Sequence, residues 1–220
     1  MVIEQLISPI VPTLDPKDTG NRALNLMEEN NLNQLPLVAE EKYMGLVQEN
    51  DVLDWEKPEV QLGEAGTLNY RPAVFASGHP YDALRIAHQQ NLAVVPVIDN
   101  ENKYLGSITR DDLLKYITEN SGVSNPGGII VLQMDPRNYS LTEIARICES
   151  EDVMIISSQV FTNPVNGMLE VTLKLNRTDL GAIVSSFERH EYHVKEVFGE
   201  QAHEEDMMDR LKLLMNYINM

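Results

Sequence analysis

The segment Tyr104-Leu-Gly-Ser-Ile-Thr-Arg-Asp-Asp112 decides the fold of the first half of the chain, because a diverged copy of it occurs earlier in the sequence. Its earlier copy is Tyr43-Met-Gly-Leu-Val-Gln-Glu-Asn-Asp51, and each copy follows an apolar segment with a central proline, Leu35–Ala39 or Val94–Ile98. Identical pairs include Asn31/Asn91, Pro36/Pro96, Gly45/Gly106 and Asp51/Asp112. Self-similarity at a fixed spacing marks a repeat. The first half is therefore a tandem duplication.

Each copy predicts one small α/β unit. A short β segment (Val11–Leu14 or Ala73–Ala76) leads into a helix, and the apolar strand with its proline follows. Proline inside a strand predicts an edge strand or a bulge, since proline has no N–H to donate. A second strand carries Gly45 or Gly106, and a short helix begins near Asp51 or Asp112. Residues 56–66, rich in Gly, Pro and Glu, predict a solvated linker between the copies.

The strand with its proline, followed by Gly106-x-x-Thr109-x-x-Asp112, resembles the CBS domain, named after cystathionine β-synthase. The resemblance extends from residue 1 to about residue 118. It implies a first CBS motif over residues 1–60 and a second over 61–120, which close together into one module. The pattern Gly-x-x-Thr-x-x-Asp matches the nucleotide-binding signature of the family.

The chemistry of the second copy suits a nucleotide. Thr109 ends a strand and Asp112 starts a helix, so we expect the hydroxyl and the carboxylate to lie close together. Such a pair can hydrogen-bond the two vicinal hydroxyls of a ribose. Arg110 is the nearest cation for a phosphate, with a helix N-terminus beside it. The resemblance implies base contacts on apolar side chains, namely Val74, Val94 and Val95. The alternative is an ordinary helix cap, because Thr and Asp are favoured there on structural grounds alone.

The first copy departs from the signature. Gln48 replaces the threonine and Glu49 replaces the arginine, while Asp51 is retained. A glutamine can bond a ribose, but the glutamate repels a phosphate. We expect the second site to bind and the first site, Gln48 with Asp51, to be weak or empty.

The second half predicts a different module. After a break at residues 119–128 the pattern reads strand, helix, strand, strand, helix, strand, which fits a ferredoxin-like sandwich in a chain of α/β (α+β) class. Residues 128–199 resemble an ACT domain, a regulatory module that commonly senses amino acids and pairs through sheet edges. The first loop, Asp135–Tyr139, has no glycine where amino-acid sensors usually have one. We therefore favour pairing or a structural role over amino-acid sensing.

Residues 200–220 predict a terminal amphipathic helix, with an apolar stripe made of Leu211, Leu214, Met215 and Ile218. Such a helix either folds back on its own domain, which we favour, or packs against a second subunit. Its acidic start, Glu204 to Asp206, argues against membrane attachment.

Composition excludes several functions. Asp and Glu number 34 against 17 Lys and Arg, a formal charge of −17, which disfavours nucleic acid and anionic membranes as partners. The single cysteine, Cys148, excludes an internal disulfide and a thiolate metal cluster. His190 and His193 have no partner at ligand spacing. We expect no catalytic residue, no metal, no cofactor and a cytoplasmic location.

The sequence thus predicts a non-enzymatic sensor that resembles the acetoin-utilization-type CBS proteins of bacteria. Its regulatory ligand is an adenine nucleotide or a related adenosine compound, with a weak preference for AMP. The second module holds a homodimer together or passes the signal to a protein partner. Two rivals remain: an enzyme, for which these modules leave little room, and a ligand-free scaffold, which the departures at Gln48 and Tyr139 favour.

Overall fold

The computed structural model describes residues 2–55, 57–64 and 70–199. The chain divides between Ile117 and Thr118 into two compact units. The terminal helix expected over residues 200–220 lies outside the described residues. The class is mixed α/β, as the sequence predicts.

The first copy of the repeat contains two helices and a two-stranded antiparallel sheet. In chain order these are α1 (Gly20–Glu29), β1 (Gln34–Ala39), β2 (Lys42–Gln48) and α2 (Glu49–Leu53). The β segment expected before α1 is reduced to one bridge, in which Leu14 lies beside Leu37.

The second copy repeats this order with a fuller sheet. It contains β3 (Val74–Phe75), α3 (Pro80–Gln89), β4 (Val94–Ile98), β5 (Tyr104–Thr109) and α4 (Arg110–Asn120). Here the leading segment is a true strand, and β3 runs parallel to β4 while β5 runs antiparallel to it.

The two strand prolines behave differently from each other. Pro36 lies in β1, which pairs with β2 on one side and has only the Leu14 bridge on the other, whereas Pro96 lies in β4, between β3 and β5. In both copies the register shifts just after the proline, between Leu37 and Val38 and between Val97 and Ile98. Both strands therefore have the predicted bulge, and the prediction of an edge strand is wrong for Pro96.

Two asparagines at equivalent positions end the first helix of each copy. Asn31 has φ 53° and Asn91 has φ 51°, the left-handed region that asparagine tolerates better than most residues. This backbone requirement explains an identity that the sequence comparison records without a reason.

The two copies join through the beginnings of β2 and β5. The backbone N–H of Tyr43 donates to the carbonyl of Asn102 at 3.1 Å, and that of Tyr104 donates to the carbonyl of Glu41 at 2.8 Å. The two tyrosine rings stack with their centroids 6.4 Å apart and their planes 24° apart. Burial raises the pKa of both phenols. The junction is thus nearly symmetric about a pseudo-twofold axis.

The N-terminal residues pack against the second copy rather than the first. Ile3 is fully buried in the second core, beside Val95 and Ile108, and its N–H donates to the carbonyl of Gly78 at 3.1 Å. A bridge between Ser8 and Ser107 extends this contact.

Part of the segment between the copies belongs to the first core. Leu62 is fully buried with Leu14 and Val47, and its N–H donates to the carbonyl of Asp18 at 2.8 Å. The expectation of a solvated linker is therefore wrong at this residue, because an isolated leucine among glycines and glutamates gave no periodic signal.

The second unit shows the predicted βαββαβ order. It contains β6 (Ile129–Met134), α5 (Leu141–Ser150), β7 (Ile155–Thr162), β8 (Leu169–Leu175), α6 (Gly181–Arg189) and β9 (His193–Phe198). The sheet order is β7-β8-β6-β9 and every pair is antiparallel. Alternate residues of the central strands pack against the two helices in one core, formed by Ile130, Leu132, Val171, Leu173, Ile144, Ile147, Ile183 and Phe187 among others.

The start of α5 is capped by one side chain. The hydroxyl of Ser140 accepts a hydrogen bond from the N–H of Glu143 at 3.2 Å. The Glu143 carboxylate instead pairs with Arg146 at 2.6 Å, which holds the pKa of this carboxyl below its usual value. Leu141 in the first turn is 47% exposed, whereas Ile147 further along the helix is buried.

Gly106 is the glycine on which the first unit depends most directly. Its φ is +146°, and a Cβ there meets Cγ2 of Ile7 at 2.3 Å. We expect Gly106→Ala to lower the free energy of unfolding by about 2–4 kcal/mol, since strain and overpacking add. Gly167→Ala is the control: φ is +70° there, but nothing lies within 4 Å. Urea unfolding tests this, and equal losses in the two variants contradict it.

Candidate functional site

Thr109 and Asp112 lie together at the start of α4. The backbone N–H of Thr109 donates to Oδ2 of Asp112 at 2.9 Å, and the Thr109 hydroxyl donates to the same oxygen. In return, the N–H of Asp112 donates to Oγ1 of Thr109 at 3.1 Å. The sequence therefore correctly anticipates that these side chains converge.

This arrangement supports both interpretations of the signature. It is a complete reciprocal helix cap, which needs no ligand to satisfy its donors and acceptors. It also places a half-buried carboxylate beside a hydroxyl at a helix N-terminus, which is the chemistry that vicinal ribose hydroxyls need. A ligand hydroxyl at Oδ2 has to compete with the cap.

Arg110 lies next to this pair but is already engaged. Its Nη2 donates to the carbonyl of Leu92 at 3.0 Å and to Oδ1 of Asn91 at 3.2 Å. Its backbone N–H donates to the carbonyl of Ala93 at 3.0 Å. These acceptors are neutral, so they leave the positive charge of the guanidinium uncompensated.

The expected base-binding side chains lie inside the core. Val94 and Val95 have no exposed surface and Val74 is 7% exposed, whereas Phe75, which follows Val74 and pairs with Ile98, is 54% exposed. Buried valines contact a base only after the site opens. Base binding through these residues stays a prediction, and it carries the additional requirement of a conformational change.

A buried amide that the sequence analysis missed connects the two candidate sites. Gln34 is 4% exposed, and its Oε1 accepts hydrogen bonds from the N–H groups of Ala93 at 2.8 Å and Val94 at 3.5 Å. Its Nε2 donates to Oε1 of Gln48 at 3.2 Å. Gln48 in turn donates to Oδ2 of Asp51 at 3.4 Å. The sequence contained a signal for this residue, because Gln34 aligns with Val94 and is a polar residue in an otherwise apolar strand.

The first candidate site is therefore filled by its own side chains. Gln48 occupies the place of the signature threonine and turns both to Asp51 and to Gln34. Glu49 follows with a carboxylate where the second copy has the Arg110 guanidinium. The structure thus brings Gln48 and Asp51 together, with hydrogen bonds different from those of the second copy.

The loop before α5 is closed by local contacts. Oδ1 of Asp135 accepts a hydrogen bond from the N–H of Arg137 at 2.9 Å, and the two side chains form an ion pair at 3.0 Å. This contact lowers the pKa of the Asp135 carboxyl. Asn138 lies in a 3-10 turn without positive φ, and Tyr139 packs against the core.

The remaining groups considered are the cysteine thiol and the side chains that can ligate a metal. Cys148 is a core residue of the second unit, and burial raises the pKa of its thiol to about 11. Within residues 2–55, 57–64 and 70–199 no three His, Cys, Asp or Glu side chains are grouped to hold a metal ion. Across the same ranges, every helix is too short or too polar to span a bilayer.

Comparison with known proteins assigns the first unit. The CBS domain family model matches residues 3–57 and 71–119. The first unit contains a pair of CBS domains. The family match ends at residue 119, so the resemblance of the second unit to an ACT domain stays a prediction.

Two curated relatives align with about half of this chain. Inosine-5′-monophosphate dehydrogenase of Methanocaldococcus jannaschii is 29% identical over 113 residues, which are 51% of this chain and 23% of the relative. The uncharacterized protein MJ1232 of the same organism is 28% identical over 112 residues, 48% of this chain and 36% of the relative. The match thus spans well under half the length of either relative.

Among solved structures, CBSX2 in complex with AMP is 21% identical, with a TM-score of 0.47. The alignment covers 54% of this chain and 96% of CBSX2.

The hydrogen bonds of the buried Gln34 amide predict how its removal changes the free energy of unfolding. Gln34→Leu removes the acceptor for the Ala93 N–H inside the CBS pair. We expect the free energy of unfolding to fall by about 1–3 kcal/mol, the usual cost of leaving a buried polar group without a partner. Gln90→Leu is the matched control, since Gln90 is exposed and water replaces its bond to Tyr70. A loss no larger than that of the control, measured by urea unfolding, refutes the role of Gln34.

Proposed function

We propose that this protein is a non-enzymatic regulatory protein whose CBS pair binds an adenine nucleotide at Thr109 and Asp112. One observation carries the proposal: the hydroxyl and carboxylate of the family signature converge at the first turn of a helix of eleven residues. A carboxylate can accept hydrogen bonds from both hydroxyls of a ribose, and a helix N-terminus favours a negatively charged ligand.

The other site residues fit into the same proposal. Arg110 supplies the positive charge for a phosphate, at the cost of its bonds to Leu92 and Asn91. The base contacts Val74, Val94 and Val95 after the strands that bury them have moved apart. A ligand that binds only this opened arrangement shifts the protein towards it by its differential affinity. This shift is the regulatory signal.

The second unit is the part through which we propose that the protein dimerises or contacts a protein partner, in the manner of an ACT domain. Its strand β7 is at the sheet edge, and Val160 and Phe161 on that strand are 47% and 58% exposed. Exposed apolar edge strands favour pairing with another strand. A cytoplasmic location in a bacterium and the acetoin-utilization-type resemblance belong to the same proposal.

A ligand-free scaffold is the second candidate function. The complete helix cap at Thr109 and the buried Val94 and Val95 favour it, because neither requires a ligand. Amino-acid sensing by the second unit is less favoured, since Asp135 and Arg137 close the loop and Tyr139 packs inward.

Calorimetric titration with AMP, ATP and S-adenosylmethionine separates these functions. We expect saturable binding of at least one compound, weakened about tenfold or more by Asp112→Ala, since a hydrogen bond to a charged group contributes about 1.5–3 kcal/mol. Asp111→Ala is the matched control, because it removes a neighbouring exposed carboxylate from the same helical turn. Silence with all three compounds favours the scaffold, and equal effects of the two variants show that Asp112 acts through charge alone.

The first site can be tested by restoring the signature. We expect the double variant Gln48→Thr, Glu49→Arg to raise the stoichiometry of nucleotide binding from one per chain towards two. The threonine replaces the amide that contacts Gln34, and the arginine removes the like charge that repels a phosphate. Gln48→Thr alone is the control for the hydroxyl. An unchanged stoichiometry in a folded double variant indicates that Gln34 still closes the site.

A further inference from the structure

The segment that leads into β4 is held from two directions. Its own domain holds it through Arg110, which donates from its guanidinium to the carbonyl of Leu92 at 3.0 Å and from its backbone N–H to the carbonyl of Ala93 at 3.0 Å. The first CBS domain holds it through Gln34, which accepts from the N–H of Ala93 at 2.8 Å and, more weakly, from that of Val94 at 3.5 Å. One domain therefore holds the carbonyl of Ala93 and the other domain holds its N–H.

This hydrogen bond between the domains is one-sided. Gln34 and Val94 occupy equivalent positions of the repeat, 60 residues apart. The amide of Gln34 bonds to the backbone of the second domain. The side chain of Val94 has no polar atom with which to bond to the backbone of the first domain in return. The start of β4 is therefore restrained by a side chain of the other domain, and Val94 gives β1 no matching restraint.

The restrained segment borders the candidate nucleotide site. Val94 is the strand partner of Thr109 in the antiparallel register of β4 and β5. Val94 and the neighbouring Val95 are fully buried, so a base reaches them only after the start of β4 has moved. Such a movement carries the N–H of Ala93 away from the Gln34 oxygen. Opening of the site therefore competes with the hydrogen bonds of Gln34.

The first candidate site fixes the orientation of the Gln34 amide. Nε2 of Gln34 donates to Oε1 of Gln48 at 3.2 Å, and Gln48 donates to Oδ2 of Asp51 at 3.4 Å. An amide side chain accepts at its oxygen and donates at its nitrogen. The bond from Nε2 to Gln48 thus keeps the oxygen of Gln34 turned towards Ala93, and it connects this contact to the first site.

We propose that the Gln34 amide holds the second nucleotide site closed, and that Gln48 of the first site strengthens this restraint. The inference rests on the proposed nucleotide site and assigns its regulation. In the closed state Gln34 binds the N–H groups of Ala93 and Val94, and in the open state it releases them. A ligand that binds only the open state has an apparent affinity reduced in proportion to the fraction of molecules that are open.

Weakening the restraint is expected to tighten nucleotide binding. Gln34→Ala removes the acceptor of the Ala93 N–H from the closed state, while the open state does not use it. We expect the dissociation constant to fall about fivefold, the usual contribution of one hydrogen bond. Calorimetry measures it for whichever of AMP, ATP and S-adenosylmethionine the wild-type chain binds. Gln90→Ala is the matched control, because it removes an exposed amide whose bond to Tyr70 water replaces.

A second variant tests the part played by the first site. Gln48→Leu removes the acceptor of Nε2 of Gln34. We expect the dissociation constant to fall about twofold in the otherwise wild-type chain and to stay unchanged when Gln34→Ala is already present, because residues that act through one contact are not additive. An equal effect of Gln48→Leu in both backgrounds refutes the connection between the two sites.

Amide hydrogen exchange tests the restraint without any ligand. We expect Gln34→Ala to accelerate exchange of the Ala93 N–H about fivefold relative to that of Leu92, since only the former loses its acceptor. The N–H of Leu92 donates to the carbonyl of Ala87 at 2.9 Å within the second domain, so it reports a general loss of stability. Equal acceleration at both amides overturns the restraint.

The outcomes separate the restraint from the proposed function. If the wild-type chain binds a nucleotide and Gln34→Ala binds it no more tightly, the restraint is refuted and the binding function stands. Binding by Gln34→Ala where the wild-type chain is silent supports both. If no variant binds any of the three compounds, the proposed function fails, and exchange at Ala93 alone decides whether Gln34 restrains β4. Urea unfolding verifies that each variant is folded.

Discussion

Backbone pairing between the beginnings of β2 and β5 is the contact on which the first unit depends. Tyr43 and Tyr104 each donate an N–H to the other copy, and their rings stack behind this pair. The contact fixes a pseudo-twofold relation between two domains that have diverged in sequence. Both candidate sites share that relation, and a feature in one domain therefore has a counterpart in the other at an offset of 60 or 61 residues.

The candidate site was predictable from sequence where its residues act locally. Thr109 and Asp112 are three positions apart on a strand-to-helix turn, so their convergence follows from backbone geometry alone. Gln34 is recognisable as a polar residue in an apolar strand, but its partners could not be identified in this way, because Ala93 and Val94 lie about sixty residues away. The burial of Val94 and Val95 could not be predicted either, because the same pattern of apolar residues is found in a ligand-binding slot and in a hydrophobic core.

The fold was predictable wherever periodicity was sustained over a whole element. The order of the second unit follows from alternating strands and two amphipathic helices, and the structure shows the same order. The differences occur at single side chains. Leu62, for example, packs in the first core although it lies in an irregular segment with no periodic pattern.

The Gln34 amide has a consequence for how the CBS pair can be divided. It takes its hydrogen bonds from the domain that follows it, while Ile3 at the start of the chain completes the core of that same later domain. The boundary drawn by sequence similarity is therefore not a boundary of folding. A fusion protein that borrows one CBS motif carries an exposed core and an unpaired strand end, so the transplantable module is the pair together with its N-terminal segment.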